Sequence, residues 1–269
     1  MADTTALMKA HISSIPVAKT EIITYYIRTM DVRINKYLAE QGYCSRREAD
    51  RLIQAGKVLI NDRPAKLGDV VQEGDRVNVK GRAESKREGP VYIMLHKPVG
   101  YITTADRRSK QNVMELVRIG RRAYPVGRLD VASSGLLIIT NDGELANRLM
   151  HPSFEHEKEY AVEVNSDFDE RSIRLLRHGV DLDDGRTLPA KATQTGQRTV
   201  RLTVREGRNR QIRRMMEALG YEVVSLMRIR IGELKMQHLP PGQWRYLKPS
   251  EIRLLRSAKR QRGEKRAKG

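Results

Sequence analysis

Apolar residues change their spacing along this chain, and each change marks an element. Ile34 and Leu38 stand four apart within Val32 to Gln41, and Gly42 follows where a helix would stop. Ser45-Arg46-Arg47-Glu48 has the form of a capping box. The helix behind it places Ala49, Leu52 and Ile53 on one face and ends at Gly56. Lys57 to Ile60 alternates as a strand, Asn61-Asp62 turns it back, and Gly68-Asp69 and Gly74-Asp75 mark turns before Arg76 to Val79. Two short helices followed by small strands predict a module over 31–82, near the lower size limit for independent folding.

Residues 83–89 are charged and carry no apolar period, which reads as a linker to a larger unit at 90–250. Val91 to His96 is strand-like and stops at Pro98, which cannot continue a central strand. Val113 to Val117 predicts a short helix. Leu136 to Ile139 is a continuous apolar run, the pattern of a buried strand. Asn141-Asp142-Gly143-Glu144 caps a helix with Leu145, Leu149 and Met150 on one face. Lys158 to Val164 predicts a strand with Tyr160 and Val162 on one side, and Thr199 to Val204 another. Ser172 to His178 reads as a helix, and Ile212, Met215, Met216 and Leu219 set a second that ends at Gly220. Strands are expected at Val223 to Ile231 and Arg245 to Leu247. The first 30 residues are expected to be a flexible extension, without the h-region of a signal peptide, and 251–269 a basic, disordered tail.

Charge changes the picture most. A net +18 over 269 residues argues for a polyanionic partner. No apolar run approaches the ~20 residues of a membrane span, and no basic amphipathic helix offers a membrane-lying face. Nucleic acid is therefore favoured over membrane. Cys44 is the only cysteine, which excludes an internal disulfide and fits a reducing cytoplasm. The six histidines show no ligand spacing, so no metal is expected. A monomer is expected.

Three side chains carry candidate chemistry. Asp130 lies in the Gly-flanked stretch Gly127-Arg128-Leu129-Asp130, just before the buried run. It is either a turn residue bonding its own backbone or a catalytic carboxylate held by a rigid strand. Tyr160 is either a core tyrosine or a site residue. Arg213 sits beside the apolar side of its helix, where burial calls for a carboxylate partner. It belongs to the densest basic cluster, with Arg205, Arg208, Arg210 and Arg214. Arg46, Arg47 and Arg51 project from the second helix, and like charges at Arg47 and Arg51 oppose helix formation unless an anion offsets them.

The first module resembles the alpha-L, S4-type RNA-binding domain, through Arg33-Ile34-Asn35-Lys36-Tyr37-Leu38, Cys44-Ser45-Arg46-Arg47-Glu48-Ala49 and Gly56-Lys57-Val58-Leu59-Ile60-Asn61. From Val32 to Leu247 the chain is similar to ribosomal RNA pseudouridine synthases that carry such a domain. The match rests on Gly127-Arg128-Leu129-Asp130 with Ser133-Ser134-Gly135-Leu136-Leu137, on Lys158-Glu159-Tyr160, on Glu206 to Met215, and on Lys97-Pro98 with Gly100. The resemblance implies an α+β fold whose catalytic domain has a mixed, mostly antiparallel sheet. It implies isomerisation of a uridine in ribosomal RNA or a ribosomal precursor particle, large-subunit RNA favoured over small-subunit RNA, with no cofactor. Asp130 would be the nucleophile, Arg213 its direct ion-pair partner, and Tyr160 the group stacked on the base. Arg128, Arg208, Arg210, Arg46, Arg47 and Arg51 would contact RNA, and Leu136 or Leu137 would floor the pocket. The alternative class is a ribosome-binding or assembly factor without catalysis, which needs no Asp130, Tyr160 and Arg213 set.

Overall fold

The computed structural model describes residues 31–81, 89–106, 108–154 and 156–257, and the chain divides into two units between Glu88 and Gly89. The expected extension at 1–30 and most of the 83–89 linker lie outside the described residues.

In the first unit the helices Ile34–Glu40 and Arg46–Gln54 pack together over Ile34, Leu38, Ala49 and Ile53. The Ser45 hydroxyl accepts from the Glu48 amide at 3.1 Å, the cap its sequence predicts. Val58–Ile60 pairs with Arg63–Pro64 and with Val77–Val79. Asn61 and Asp62 both take positive φ, 47° and 65°, which suits a two-residue hairpin turn and residues tolerant of left-handed backbone.

The second unit is built on a nine-stranded sheet. Its strands are β1 (Tyr92–Lys97), β2 (Tyr124–Val126), β3 (Ser134–Thr140), β4 (Lys158–Val164), β5 (Lys191–Gly196), β6 (Thr199–Val204), β7 (Val223–Ile231), β8 (Leu234–Lys235) and β9 (Trp244–Tyr246). The main path runs β5-β6-β4-β7-β3-β1-β9, with β2 on β3 and β8 on β7. Only β3 and β7 pair in parallel; the other pairs are antiparallel. The fold is thus α+β with a mixed, mostly antiparallel sheet. Five helices cover it among the described residues: α1 (Val113–Leu116), α2 (Gly143–Met150), α3 (Glu170–His178), α4 (Gln211–Ala218) and α5 (Pro249–Arg256).

The apolar run in β3 is continuous because both faces are covered. Leu136 and Ile138 join Met94 and Leu145 in one cluster, while Leu137 and Ile139 join Ile93, Leu95 and Val113 in another. Leu136 and Leu137 are both fully buried in these cores, so neither is free to floor a pocket as the sequence suggested. A third cluster lies under α3 and α4 against β4, β6 and β7.

The expected tail boundary at 251 is too early. Residues Pro249–Arg256 are α5, with Leu255 buried and Arg256 donating to Asp142 Oδ2 and to the Tyr92 hydroxyl, each at 2.7 Å. Charge hid this element: one buried leucine in a stretch of arginines gives no visible apolar period. Residues 258–269 lie outside the described residues. No helix of the described residues is long and apolar enough to cross a membrane.

Registers align one row of residues across the middle of the sheet. Lys97 on β1 faces Gly135 on β3, Gly135 faces Arg228 on β7, Arg228 faces Tyr160 on β4, and Tyr160 faces Leu202 on β6. Two strand spacings separate Gly135 from Tyr160, about 10 Å. The loop carrying Asp130 enters the sheet at this row.

Candidate active site

Every backbone carbonyl of the loop from Arg128 to Ser133 has a donor. Arg228 Nη1 reaches the Arg128 carbonyl at 3.4 Å, and the Thr103 hydroxyl donates to Leu129 at 2.7 Å. The Ser133 amide closes on the Asp130 carbonyl at 3.0 Å, and the Gly100 amide on Val131 at 2.8 Å. Arg213 Nη2 donates to Ala132 at 2.8 Å, and Lys97 Nζ to Ser133 at 2.7 Å. Three cations from three different elements thus grip one loop.

The Asp130 side chain, by contrast, is half-buried and makes no hydrogen bond or ion pair among the described residues. The turn reading of Asp130 required a local side-chain bond to backbone. The turn is instead closed by main chain, through Ser133. A carboxylate with no structural bond, on a loop with no loose carbonyl, is free to react without losing its position.

Arg213 reaches this loop, but not as expected. Its guanidinium grips the Ala132 carbonyl and, at 3.3 Å, that of Val223, rather than the Asp130 carboxylate. The direct ion pair is therefore corrected to a charge at longer range: backbone oxygens take Nη1 and Nη2, while the buried Nε has no partner among the described residues. Burial and neighbouring Arg210 push the Arg213 pKa down, and Asp130 opposes them. Tyr160 is half-buried against the third core cluster, and its hydroxyl has no partner among the described residues.

Arg208 was expected on RNA, and the structure corrects that. Its guanidinium binds Glu206, the carbonyls of Gly185 and Arg186 at 2.7 Å each, and Asp184. It braces the turn before Thr187 and has no fork left for phosphate. Arg214 binds Asp184 likewise. Arg128 and Arg210 are exposed and have no side-chain partner among the described residues. Arg46 and Arg47 are also exposed and unpaired, whereas Arg51 meets Glu48 at 3.5 Å.

Three neighbours had no role assigned from sequence. Lys97 is completely buried, and its ammonium also donates to the Pro98 carbonyl at 2.9 Å. Burial pushes its pKa down to about 8, opposed by the Asp130 charge. Lys158 is half-buried on the Tyr160 side of β4, with no bonded partner among the described residues, and burial and Arg228 both lower its pKa. Arg228 is 3% exposed and has no carboxylate partner among the described residues. The signal available for Lys97 and Arg228 was a cation next to apolar strand residues, which is rare without a structural task.

Lys97 makes stability depend on pH. Between about 8 and its unfolded value the folded chain holds one proton fewer than the unfolded chain. Stability should therefore rise with pH from about 8, with a slope approaching roughly 1.4 kcal/mol per unit before levelling near the unfolded pKa of ~10.4. Tyr92, pushed up to about 12 by burial and Asp142, acts in the opposite sense only above the ordinary tyrosine range. Urea midpoints at pH 7.5 to ~9.5 should rise more in the wild type than in Lys97→Met.

Comparison with known proteins settles the family. The RNA pseudouridylate synthase model matches residues 91–218, and the S4 domain model matches 32–77. The dual-specificity RNA pseudouridine synthase RluF of Escherichia coli K12 is 42% identical over 223 residues, covering 82% of this chain and 77% of that one. Ribosomal large subunit pseudouridine synthase B of Bacillus subtilis is 42% identical over 236 residues, covering 84% of this chain and 96% of that one. The chain belongs to the RNA pseudouridine synthases with an N-terminal S4 domain. A crystal structure of a pseudouridylate synthase overlays with a TM-score of 0.64 at 31% identity, covering 83% of this chain and 99% of that one. As a pseudouridine synthase the protein is an isomerase that modifies RNA, and the alternative of a non-catalytic factor falls away.

Proposed function

We propose that this synthase converts a uridine of large-subunit ribosomal RNA to pseudouridine with Asp130 as its nucleophile. The observation that carries the nucleophile is the contrast at the loop: all carbonyls from Arg128 to Ser133 are bonded, and the carboxylate is not. The Bacillus subtilis relative, matched over nearly its whole length, supports the RNA target. The Escherichia coli relative is named for dual specificity, which supports a second reading in which one site serves more than one RNA.

The reaction breaks the bond from uracil N1 to the ribose C1′ and joins C5 to C1′; the proton lost from C5 is matched by one gained at N1. Atoms and electrons balance within the nucleotide, so the reaction needs no external oxidant or reductant. Asp130 attacks either the ring or the sugar, or stabilises the separated base and sugar. Lys97 and Arg213 both lie within reach of the Asp130 charge, so two cations stand close to the carboxylate. Tyr160 offers a ring face to the uracil and an unbonded hydroxyl to the C5 proton. The base must leave its stack to reach them, and exposed Arg128 and Arg210 suit the flanking phosphates.

Mapping pseudouridines in ribosomal RNA from cells with and without the gene tests the target. One large-subunit site should disappear; loss confined to small-subunit RNA, or no loss, refutes it. In the S4 unit, Arg46 and Arg47 have no side-chain partner among the described residues, whereas Arg51 is partly neutralised by Glu48. Replacing Arg46 and Arg47 by Gln should weaken RNA binding and lower its salt slope by roughly 0.7–0.9 per lost phosphate contact, while Arg51→Gln does less. Titrating RNA affinity against salt separates these outcomes.

A further inference from the structure

Arg228 is a buried arginine with no acidic partner among the described residues. Its Nε donates to the Leu136 carbonyl at 2.8 Å, and its Nη1 to the Arg128 carbonyl. Those two carbonyls lie on either side of Asp130. The backbone of Arg228 meanwhile faces Tyr160 on β4 and Gly135 on β3. One residue therefore contacts the start of the Asp130 loop, the strand that follows the loop and the strand that carries Tyr160.

A structural role alone explains this poorly. A buried guanidinium with no carboxylate bears a desolvation cost that an apolar residue of similar volume avoids. Its Nη2 is buried and has no hydrogen-bond partner among the described residues. Its charge also opposes that of Lys158 nearby. Cost without evident gain to the fold is the mark of a residue retained for the site. What the fork does uniquely is fix spacing. Planar donors to one carbonyl at the start of the loop, Arg128, and one in the strand that follows it, Leu136, set the loop's angle, as well as its distance, relative to β7.

We propose that Arg228 is a positioning residue for the isomerisation, fixing the Asp130 loop relative to Tyr160. It touches neither base nor sugar. This rests on the reading of Asp130 as nucleophile. A carboxylate displaced by about 1 Å loses on the order of 100-fold in rate while the RNA still binds. Arg228→Lys keeps the charge and loses the fork; Arg228→Met keeps the volume and loses both.

The test measures single-turnover pseudouridine formation, RNA affinity and thermal midpoint for the wild type, Arg228→Lys, Arg228→Met and Asp130→Asn. The RNA is a transcript of the segment that mapping shows the wild type to modify. The expected result is a rate loss of about 100-fold in Arg228→Met and about 10-fold or more in Arg228→Lys, with RNA affinity within threefold and both variants folded at the assay temperature. In Arg228→Ala, where the side chain leaves a space, millimolar guanidinium should restore part of the rate. Wild-type rates in a folded Arg228→Met, or a loss that lies in RNA affinity, overturn the proposal. Should Arg228→Met fail to fold, Arg228→Lys decides by the same criteria. An active Asp130→Asn refutes the nucleophile itself, whereas an inert one beside a fully active Arg228→Met refutes only the positioning role.

Discussion

Asp130→Asn should abolish pseudouridine formation and leave the protein folded and bound to RNA. The expected loss is on the order of 10⁴-fold or more, equivalent to about 5 kcal/mol of barrier. Asparagine matches aspartate in shape and tolerates the same backbone angles. The loop would also keep its shape, because none of its hydrogen bonds runs through the Asp130 side chain; Thr103, Gly100, Ser133, Lys97, Arg213 and Arg228 bind backbone. The charge alone is removed. Lys97 and Arg213 lose an anion that partly offsets the cost of burying their charges, but neither bonds to it directly, so the thermal midpoint should fall only slightly. Retained turnover, with deamidation back to aspartate excluded by mass spectrometry, would overturn the nucleophile. A large drop in stability would instead show that the carboxylate has a structural bond.

Much of this architecture is visible in the sequence where local physics decides it. The Ser45 cap, the Asn61-Asp62 turn and the two-sided burial of Leu136 to Ile139 are each set by a few neighbouring residues. The site is less legible because it is assembled by pairing at long range. Arg228 meets Leu136 across 92 positions, and the parallel pairing of β3 with β7 leaves no local trace. Arg213 shows the same limit. Burial beside an apolar helix face correctly signals a need for acceptors, but pattern cannot say whether carboxylate or carbonyl supplies them. Arg208 looks like its neighbours in the basic run until the turn at Asp184 to Arg186 comes back to it. A cluster of like residues in sequence here divides into braces at Arg208 and Arg214, a loop grip at Arg213, an ion pair of Arg205 with Glu157, and Arg210, which has no side-chain partner among the described residues.

Gly135→Ala should be the most damaging small change in the sheet. Gly135 has φ of +111°, outside the region a side chain readily adopts, and a Cβ there would overlap the backbone nitrogen, carbon and oxygen of Arg228. Neither obstacle can be relieved by a rotamer change, since the atoms struck are main chain in the adjacent strand. Backbone strain of roughly 1–3 kcal/mol adds to overpacking of roughly 1–3 kcal/mol, so a loss near 4 kcal/mol is expected. The natural response is for β3 and β7 to part at this row, and that would move Arg228 away from Leu136 and free one end of the Asp130 loop. Activity should therefore fall by about 100-fold or more even below the midpoint of unfolding. Gly127→Ala supplies the control. Gly127 also has positive φ, +71°, but a Cβ there meets nothing within 4 Å. Its cost should be the conformational strain alone, about 1–2 kcal/mol. Urea denaturation of both variants gives the comparison directly. If Gly135→Ala is no worse than Gly127→Ala, β3 and β7 do not approach as closely as described, and the row that brings Lys97, Arg228 and Tyr160 to the Asp130 loop loses its basis.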